Sequence, residues 1–120
     1  MAVKLIASDL DGTLLTNKKE LSPRTREALD LAAAQGIYLV PATGRSFESV
    51  PEMIREYPGV EYLITANGGA VYSVSEKRRI YQCLMTPESV EAAIAVRKRE
   101  KMVMEVDIDG VPYAEEDYVR

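Results

Sequence analysis

A chain of 120 residues is the size of one ordinary domain or of a part of a larger one, and its 47% apolar content is enough for a core. A formal net charge of −4 with no basic run argues against a nucleic-acid partner, and the lack of histidine removes the usual zinc ligand and the base of serine-type triads. The single cysteine, Cys83, excludes an internal disulfide and suits a reducing compartment; Val3 to Ala7 is too short for a signal peptide or membrane span, so a soluble cytoplasmic protein without a membrane partner is expected.

Val3 to Ser8 reads as a short apolar strand running into Asp9-Leu10-Asp11-Gly12-Thr13. Side chains at the carboxyl end of a buried parallel strand line the crevice where open α/β sheets bind ligands. With one residue between them, Asp9 and Asp11 can share one site while Leu10 turns back to pack. Two carboxylates that close repel, and a hard divalent cation such as Mg2+ relieves the repulsion. Gly12 fits a tight turn, and Thr13 can tie the loop down through its hydroxyl. A calcium loop of the EF-hand kind would need further oxygen ligands where Leu14 and Leu15 stand.

Ser22-Pro23 starts a helix that Gly36 ends, with Ala28, Leu29, Ala32 and Ala33 as its apolar stripe. Ile37 to Pro41 is a second buried strand, which makes a right-handed βαβ unit with parallel strands. Thr43-Gly44-Arg45-Ser46 is the next turn, beside the Asp9 loop. The Thr43 hydroxyl can donate to a phosphoryl oxygen, Gly44 lets the backbone approach, and the N-terminus of the following helix favours an anion. Arg45 reads equally as a substrate contact or as a solvated residue at the helix start. That helix begins at Ser46 or at Ser49, where Glu52 would complete a capping box, and stops near Pro58-Gly59. Tyr62 to Ala66 is the third parallel strand.

Asn67-Gly68-Gly69 turns the chain into a hairpin of Ala70 to Val74 and Arg79 to Cys83, joined by a polar turn at residues 75–78. Thr86-Pro87-Glu88 opens a helix to about Lys101. Met102 to Ile108 and Val111 to Ala114 form a second hairpin around Asp109-Gly110, a strong two-residue turn signal. The change from βαβ to hairpin chemistry near residue 84 is the one boundary, dividing the chain into residues 1–84 and 85–120.

Three stretches, Asp9-Leu10-Asp11-Gly12-Thr13-Leu14-Leu15, Pro41-Ala42-Thr43-Gly44-Arg45 and Thr65-Ala66-Asn67-Gly68-Gly69, stand in the order and at roughly the spacing of one family. The chain resembles the amino-terminal part of a haloacid dehalogenase-superfamily phosphatase of the Cof-type (IIB) sugar-phosphatase-like branch. The resemblance implies an α/β fold: the first three strands of a Rossmann-like parallel sheet, then a β-hairpin, then, from residue 85, the start of an α+β cap domain. It also implies a Mg2+-dependent phosphomonoesterase of small phosphorylated metabolites. Asp9 would be the nucleophile that forms an aspartyl-phosphate, and Asp11 the general acid and base. The metal would sit on an Asp9 oxygen and the Asp11 backbone carbonyl. Leu10, Thr43, Gly44, Arg45 and Asn67 would lie at the phosphate or substrate. Gly69 stands where the family usually has alanine, so a contact in that third stretch rests on Asn67. Lys18 and Lys19 fall in the stretch that forms a small flap in the family and read as solvated.

Members of that family run to more than twice this length, and their later half supplies a lysine and a Gly-Asp-x-x-Asn-Asp metal motif without counterpart here. Asp107, Asp109, Glu115, Glu116 and Asp117 offer further carboxylates by number alone. A truncated form, weakly active or inactive by itself, is therefore expected, with a phosphomutase or a non-catalytic phosphate-binding module as alternatives. In the resembled fold the first strand is central, so truncation would bare its edge and one sheet face, and self-association through either is expected.

Overall fold

The computed structural model describes residues 2–114. Strand β1 (Leu5–Ser8) is joined by helix α1 (Pro23–Ala34) to β2 (Tyr38–Pro41), and the two strands pair in parallel with Ile6 opposite Leu39 and Ser8 opposite Pro41. This is the expected βαβ unit. Ser22 caps α1 by accepting the Thr25 N–H at 3.1 Å, ahead of Pro23 in the first turn. Gly36, at φ +71, supplies the left-handed residue that ends the helix.

Strand β3 (Tyr62–Thr65) lies parallel to β2, bridged by the Leu39 N–H to the Gly59 carbonyl and the Thr43 N–H to the Ile64 carbonyl, both at 2.9 Å. Its continuous ladder is antiparallel, with β4 (Ala70–Ser73), which in turn pairs with β5 (Arg78–Gln82) across a register shift between Val71 and Tyr72. The strands thus run β1-β2-β3-β4-β5, with β1 at one edge and β2 as its one strand partner among the described residues.

The segment between β2 and β3 departs from expectation. Instead of one helix it forms a 3₁₀ turn at Phe47–Ser49 and a single helical turn, α2 (Glu52–Arg55), with Pro51 as the N-cap. A residue before proline is driven out of the helical region, and Val50 is accordingly extended at φ −72, ψ 128. The Ser49–Glu52 capping box does not form; the Ser49 hydroxyl meets that of Ser46 at 2.8 Å.

The core fills the space between the helices and one sheet face, with Leu10, Leu15, Leu21, Leu39, Val50, Ile54, Tyr57, Val60 and Leu63 buried together. Because side chains alternate along a strand, the neighbours of Ile6 and Leu39 point the other way. There Leu5 and Tyr38, opposite each other in register, are each 49% exposed.

Beyond β5, Thr86 caps α3 (Pro87–Glu100) by accepting the Ser89 N–H at 3.2 Å, and a hairpin of β6 (Glu105–Ile108) and β7 (Val111–Ala114) follows. Its turn residues Asp109 and Gly110, at φ +54 and +86, have the two left-handed conformations a tight hairpin needs. No residue of α3 is fully buried. Among the described residues no helix is long and apolar enough to cross a membrane.

Candidate active site

The register of β1 on β2 decides which loops meet. Ser8 stands opposite Pro41, and the Ala42 N–H donates to the Ser8 carbonyl at 2.8 Å, so the Asp9 and Thr43 loops leave the same end of the sheet side by side. The Asp9 loop is folded back on Leu10, whose carbonyl accepts the N–H groups of Thr13, Leu14 and Leu15 at 3.3, 3.1 and 2.8 Å. The Leu10 side chain is wholly buried, so it anchors the loop and offers nothing to a ligand. A contact of Leu10 with a phosphate, as expected from the resemblance, would therefore have to come from its backbone. Gly12 takes φ +78 in this turn, and Thr13 ties the loop down as expected, donating from Oγ1 to Asp9 Oδ2 at 2.9 Å.

The two aspartates have different surroundings. Asp9 is exposed and accepts from a neutral hydroxyl. Asp11 is clamped by two cations. Arg45 Nε donates to Asp11 Oδ2 at 2.7 Å and Arg45 Nη2 to Oδ1 at 2.9 Å, a two-pronged pair, while Lys19 Nζ donates to Oδ1 at 2.6 Å. Hydrogen bonds from Arg45 and then Lys19 hold the Asp11 carboxyl well below the usual carboxylate range, and Asp11 in turn raises Arg45. Arg45 is itself fixed from behind, since its Nη1 donates to the Ser49 carbonyl at 2.7 Å.

These contacts bear on two readings. Arg45 is not a solvated helix-start residue, because its guanidinium is paired with Asp11. Lys19 is exposed, as expected, but also pairs with Asp11, turned back by a tight loop in which Thr16 and Glu20 pair and the Lys19 backbone sits at φ +63. No periodicity or motif links Lys19 to an aspartate eight positions earlier, so only a generic rule, that two adjacent carboxylates attract cations, could have pointed to it. The helix N-terminus expected after Arg45 is also absent, replaced by the three-residue turn.

Thr43 is buried, and its Oγ1 accepts the Arg45 N–H at 3.2 Å, which leaves the hydroxyl proton for another acceptor. Gly44 lies close against Asn67: a β-carbon there would stand 2.8 Å from Asn67 Oδ1, so the Asn67 side chain would have to shift. Asn67, at φ +54, donates its N–H to the Thr43 carbonyl at 3.2 Å, and the Ala66 N–H donates to the Arg45 carbonyl at 2.9 Å. The third stretch is therefore docked against the second, and Asp9, Asp11, Thr43, Gly44, Arg45 and Asn67 belong to one group of loops.

Asp9 offers the hard anionic oxygen that Mg2+ prefers, and its exposure leaves room for the waters this ion retains. To that extent the residues fit the ion. Among the described residues no group of three acidic, cysteine or histidine side chains is placed to hold a metal. Asp107 accepts the Gly110 N–H and Asp109 pairs with Arg79, so both are engaged elsewhere; Glu115, Glu116 and Asp117 lie outside the described residues.

Comparison with known proteins gives a consistent assignment. The sequence model of a family described as haloacid dehalogenase-like hydrolases matches residues 6–117. An HMP-PP phosphatase of Klebsiella pneumoniae (strain 342) is 35% identical over 107 residues, covering 89% of this chain and 39% of that protein. Among solved structures, a haloacid dehalogenase-like hydrolase from B. subtilis is 30% identical with a TM-score of 0.82, over 98% of this chain and 41% of that one. A subclass IIB sugar phosphatase, at 23% identity, shares the fold with a TM-score of 0.85, over 98% of this chain and 46% of its own. The chain thus spans about two-fifths of the length of the curated relative and less than half of either solved chain.

Proposed function

The chain belongs to the haloacid dehalogenase-like hydrolases, and from that premise we propose that its Asp9 site is that of a Mg2+-dependent phosphomonoesterase acting on small phosphorylated metabolites. The observation that carries the reading is the contrast within Asp9-Leu10-Asp11: an exposed, weakly bonded carboxylate at the end of β1, two residues from one held by two cations.

Asp9 attacks phosphorus in line, forming an aspartyl-phosphate as the alkoxide leaves, and water then cleaves the acyl-phosphate bond. Bound Mg2+ would neutralise charge on the transferring phosphoryl group, with an Asp9 oxygen and the Asp11 backbone carbonyl as its protein ligands. Thr43 donates its remaining proton to a phosphoryl oxygen, and Gly44 and Asn67 shape the wall beside it. Asp11 protonates the leaving alkoxide and later takes a proton from the attacking water.

A carboxylate clamped by Arg45 and Lys19 holds no proton at neutral pH, so this role requires the clamp to open and Asp11 to take up a proton from solvent before the alkoxide leaves. A phosphate dianion, itself a strong partner for guanidinium and ammonium groups, is suited to draw both cations away. Arg45 then becomes a substrate contact after releasing Asp11. The reading places a core unit in residues 1–84 and the start of a cap in 85–120, and a cytoplasmic setting in which the exposed Cys83 stays reduced.

The test is release of inorganic phosphate from a panel of sugar phosphates and related monoesters, with Mg2+ and with EDTA. The expected result is hydrolysis that chelation removes. Failure to release phosphate from any monoester, together with no phosphorylated Asp9 by mass spectrometry, would sink the reading. Pairing of a second copy along β1 belongs to the same proposal, since Val3, Leu5 and Ile6 are 64, 49 and 40% exposed on an edge strand. Light scattering on the same preparation is expected to return a dimer or larger mass; a monomer mass across the assay concentrations removes that part.

A further inference from the structure

The β6–β7 hairpin meets the core at its turn. Gly110 is buried although Asp107, Ile108, Asp109 and Val111 around it are exposed. Its carbonyl accepts the Glu48 N–H at 3.0 Å, and beside it Arg79 Nη2 donates to Asp109 Oδ1 at 2.7 Å. The fit leaves no room for a side chain: a β-carbon on Gly110 would collide with the Tyr72 hydroxyl oxygen and lie 3.2 Å from Phe47 Cβ. The Phe47 and Tyr72 rings beneath it are stacked, with centroids 4.2 Å apart.

What this turn rests on is the Phe47–Ser49 turn, and that turn has little stability of its own. Three residues of 3₁₀ geometry make few and poorly aligned hydrogen bonds, and Pro51 separates them from α2. The position of the turn is therefore set by what packs against it. On its outer side are Gly110 and the Phe47–Tyr72 stack; on its inner side the Ser49 carbonyl receives Arg45 Nη1, while the other two nitrogens of the same planar guanidinium hold Asp11. A rigid fork that must satisfy both a backbone carbonyl and a carboxylate tolerates little movement of either.

We propose that Asp109, Gly110 and Arg79 are positioning residues: by fixing the 47–49 turn from outside, the hairpin turn sets the placement of Arg45 and, through it, of Asp11. This rests on the reading of Asp11 as part of the active site only for its catalytic meaning; the mechanical coupling stands on the contacts alone. The hairpin would then report its own docking to a site it does not touch, and any ligand contact that lifted it would loosen the Arg45 grip.

The experiment follows two protons by NMR in the 15N-labelled protein: the Glu48 amide, which reports docking, and Arg45 Nε–H, which reports the grip on Asp11. In Gly110→Ala both are expected to exchange with water at least about tenfold faster than in the wild type. Asp109→Arg and Arg79→Asp singly should each accelerate Arg45 Nε–H exchange, and the double reversal should return it toward the wild-type rate; this arm also serves if Gly110→Ala fails to fold. A Glu48 amide that loses protection while Arg45 Nε–H does not would overturn the coupling. So would a Glu48 amide still protected in Gly110→Ala, or a double reversal no slower than the singles. No readout involves phosphate release, so failure of the phosphatase reading and failure of this one are separate results.

Discussion

Asp9→Asn is expected to reduce phosphate release to background while leaving the fold in place. The amide oxygen can still accept the Thr13 hydroxyl that Asp9 Oδ2 accepts at 2.9 Å, so the loop keeps its tie. What is lost is the anionic oxygen that attacks phosphorus and the hard ligand for Mg2+. Asp11→Asn should be less severe toward chemistry, costing about 10²–10⁴-fold if acid and base help alone is removed. It is also a less clean substitution, because an amide leaves Arg45 and Lys19 without their anionic partner. Steady-state phosphate release from the best substrate of the panel, with circular dichroism as the control for folding, separates the two. Wild-type turnover by Asp9→Asn would remove the nucleophile assignment.

Arg45→Ala is expected to move the protonation midpoint of Asp11 upward, toward its ordinary value of 3.8, because the largest of the hydrogen bonds that depress it is gone and Lys19 alone remains. The sign of the linkage is that of a depressed carboxylate. Its contribution to stability is fully present above the unfolded-state value, and it falls away as pH drops through that value toward the lower folded one. The wild type should therefore lose this contribution only below about pH 4, and Arg45→Ala should have much less of it to lose. Partial exposure of Asp11 screens the pair and limits its size. A 13C titration of the Asp11 carboxyl, alongside denaturant midpoints at pH 3 to 7, measures both. An Asp11 midpoint in Arg45→Ala as low as in the wild type would show that Lys19 does the holding.

Much of the fold was legible because it is written in local patterns. Ser22-Pro23 and Gly36 bracket α1, Thr86-Pro87 opens α3, and Asp109-Gly110 makes a two-residue turn, each through the conformational preference of the residues themselves. Pro51 was visible too, yet its effect depended on whether it fell within the first helical turn. Val50, held extended before it, settled that against a single helix. The arrangement around Asp11 was less accessible. Arg45 lies 34 positions away and Lys19 eight, separations that no helical or strand period relates, and the pairing exists only because β1 and β2 end together. The same holds for Gly110, whose turn chemistry was plain but whose burial against Tyr72 and Phe47 comes wholly from tertiary packing.

The position of β1 at the rim of the strand order has a consequence for how the protein would come apart. Among the described residues the four residues of β1 pair with β2 alone, whereas β3 and β4 share an antiparallel ladder and β4 has a second with β5. Local opening draws on the elements with fewest partners, and β1, which carries Asp9 at its end, is among them, as are β5 and the β6–β7 hairpin. Fraying of β1 would displace Asp9 while the β3–β4–β5 ladders stay paired, so loss of the site need not wait for global unfolding.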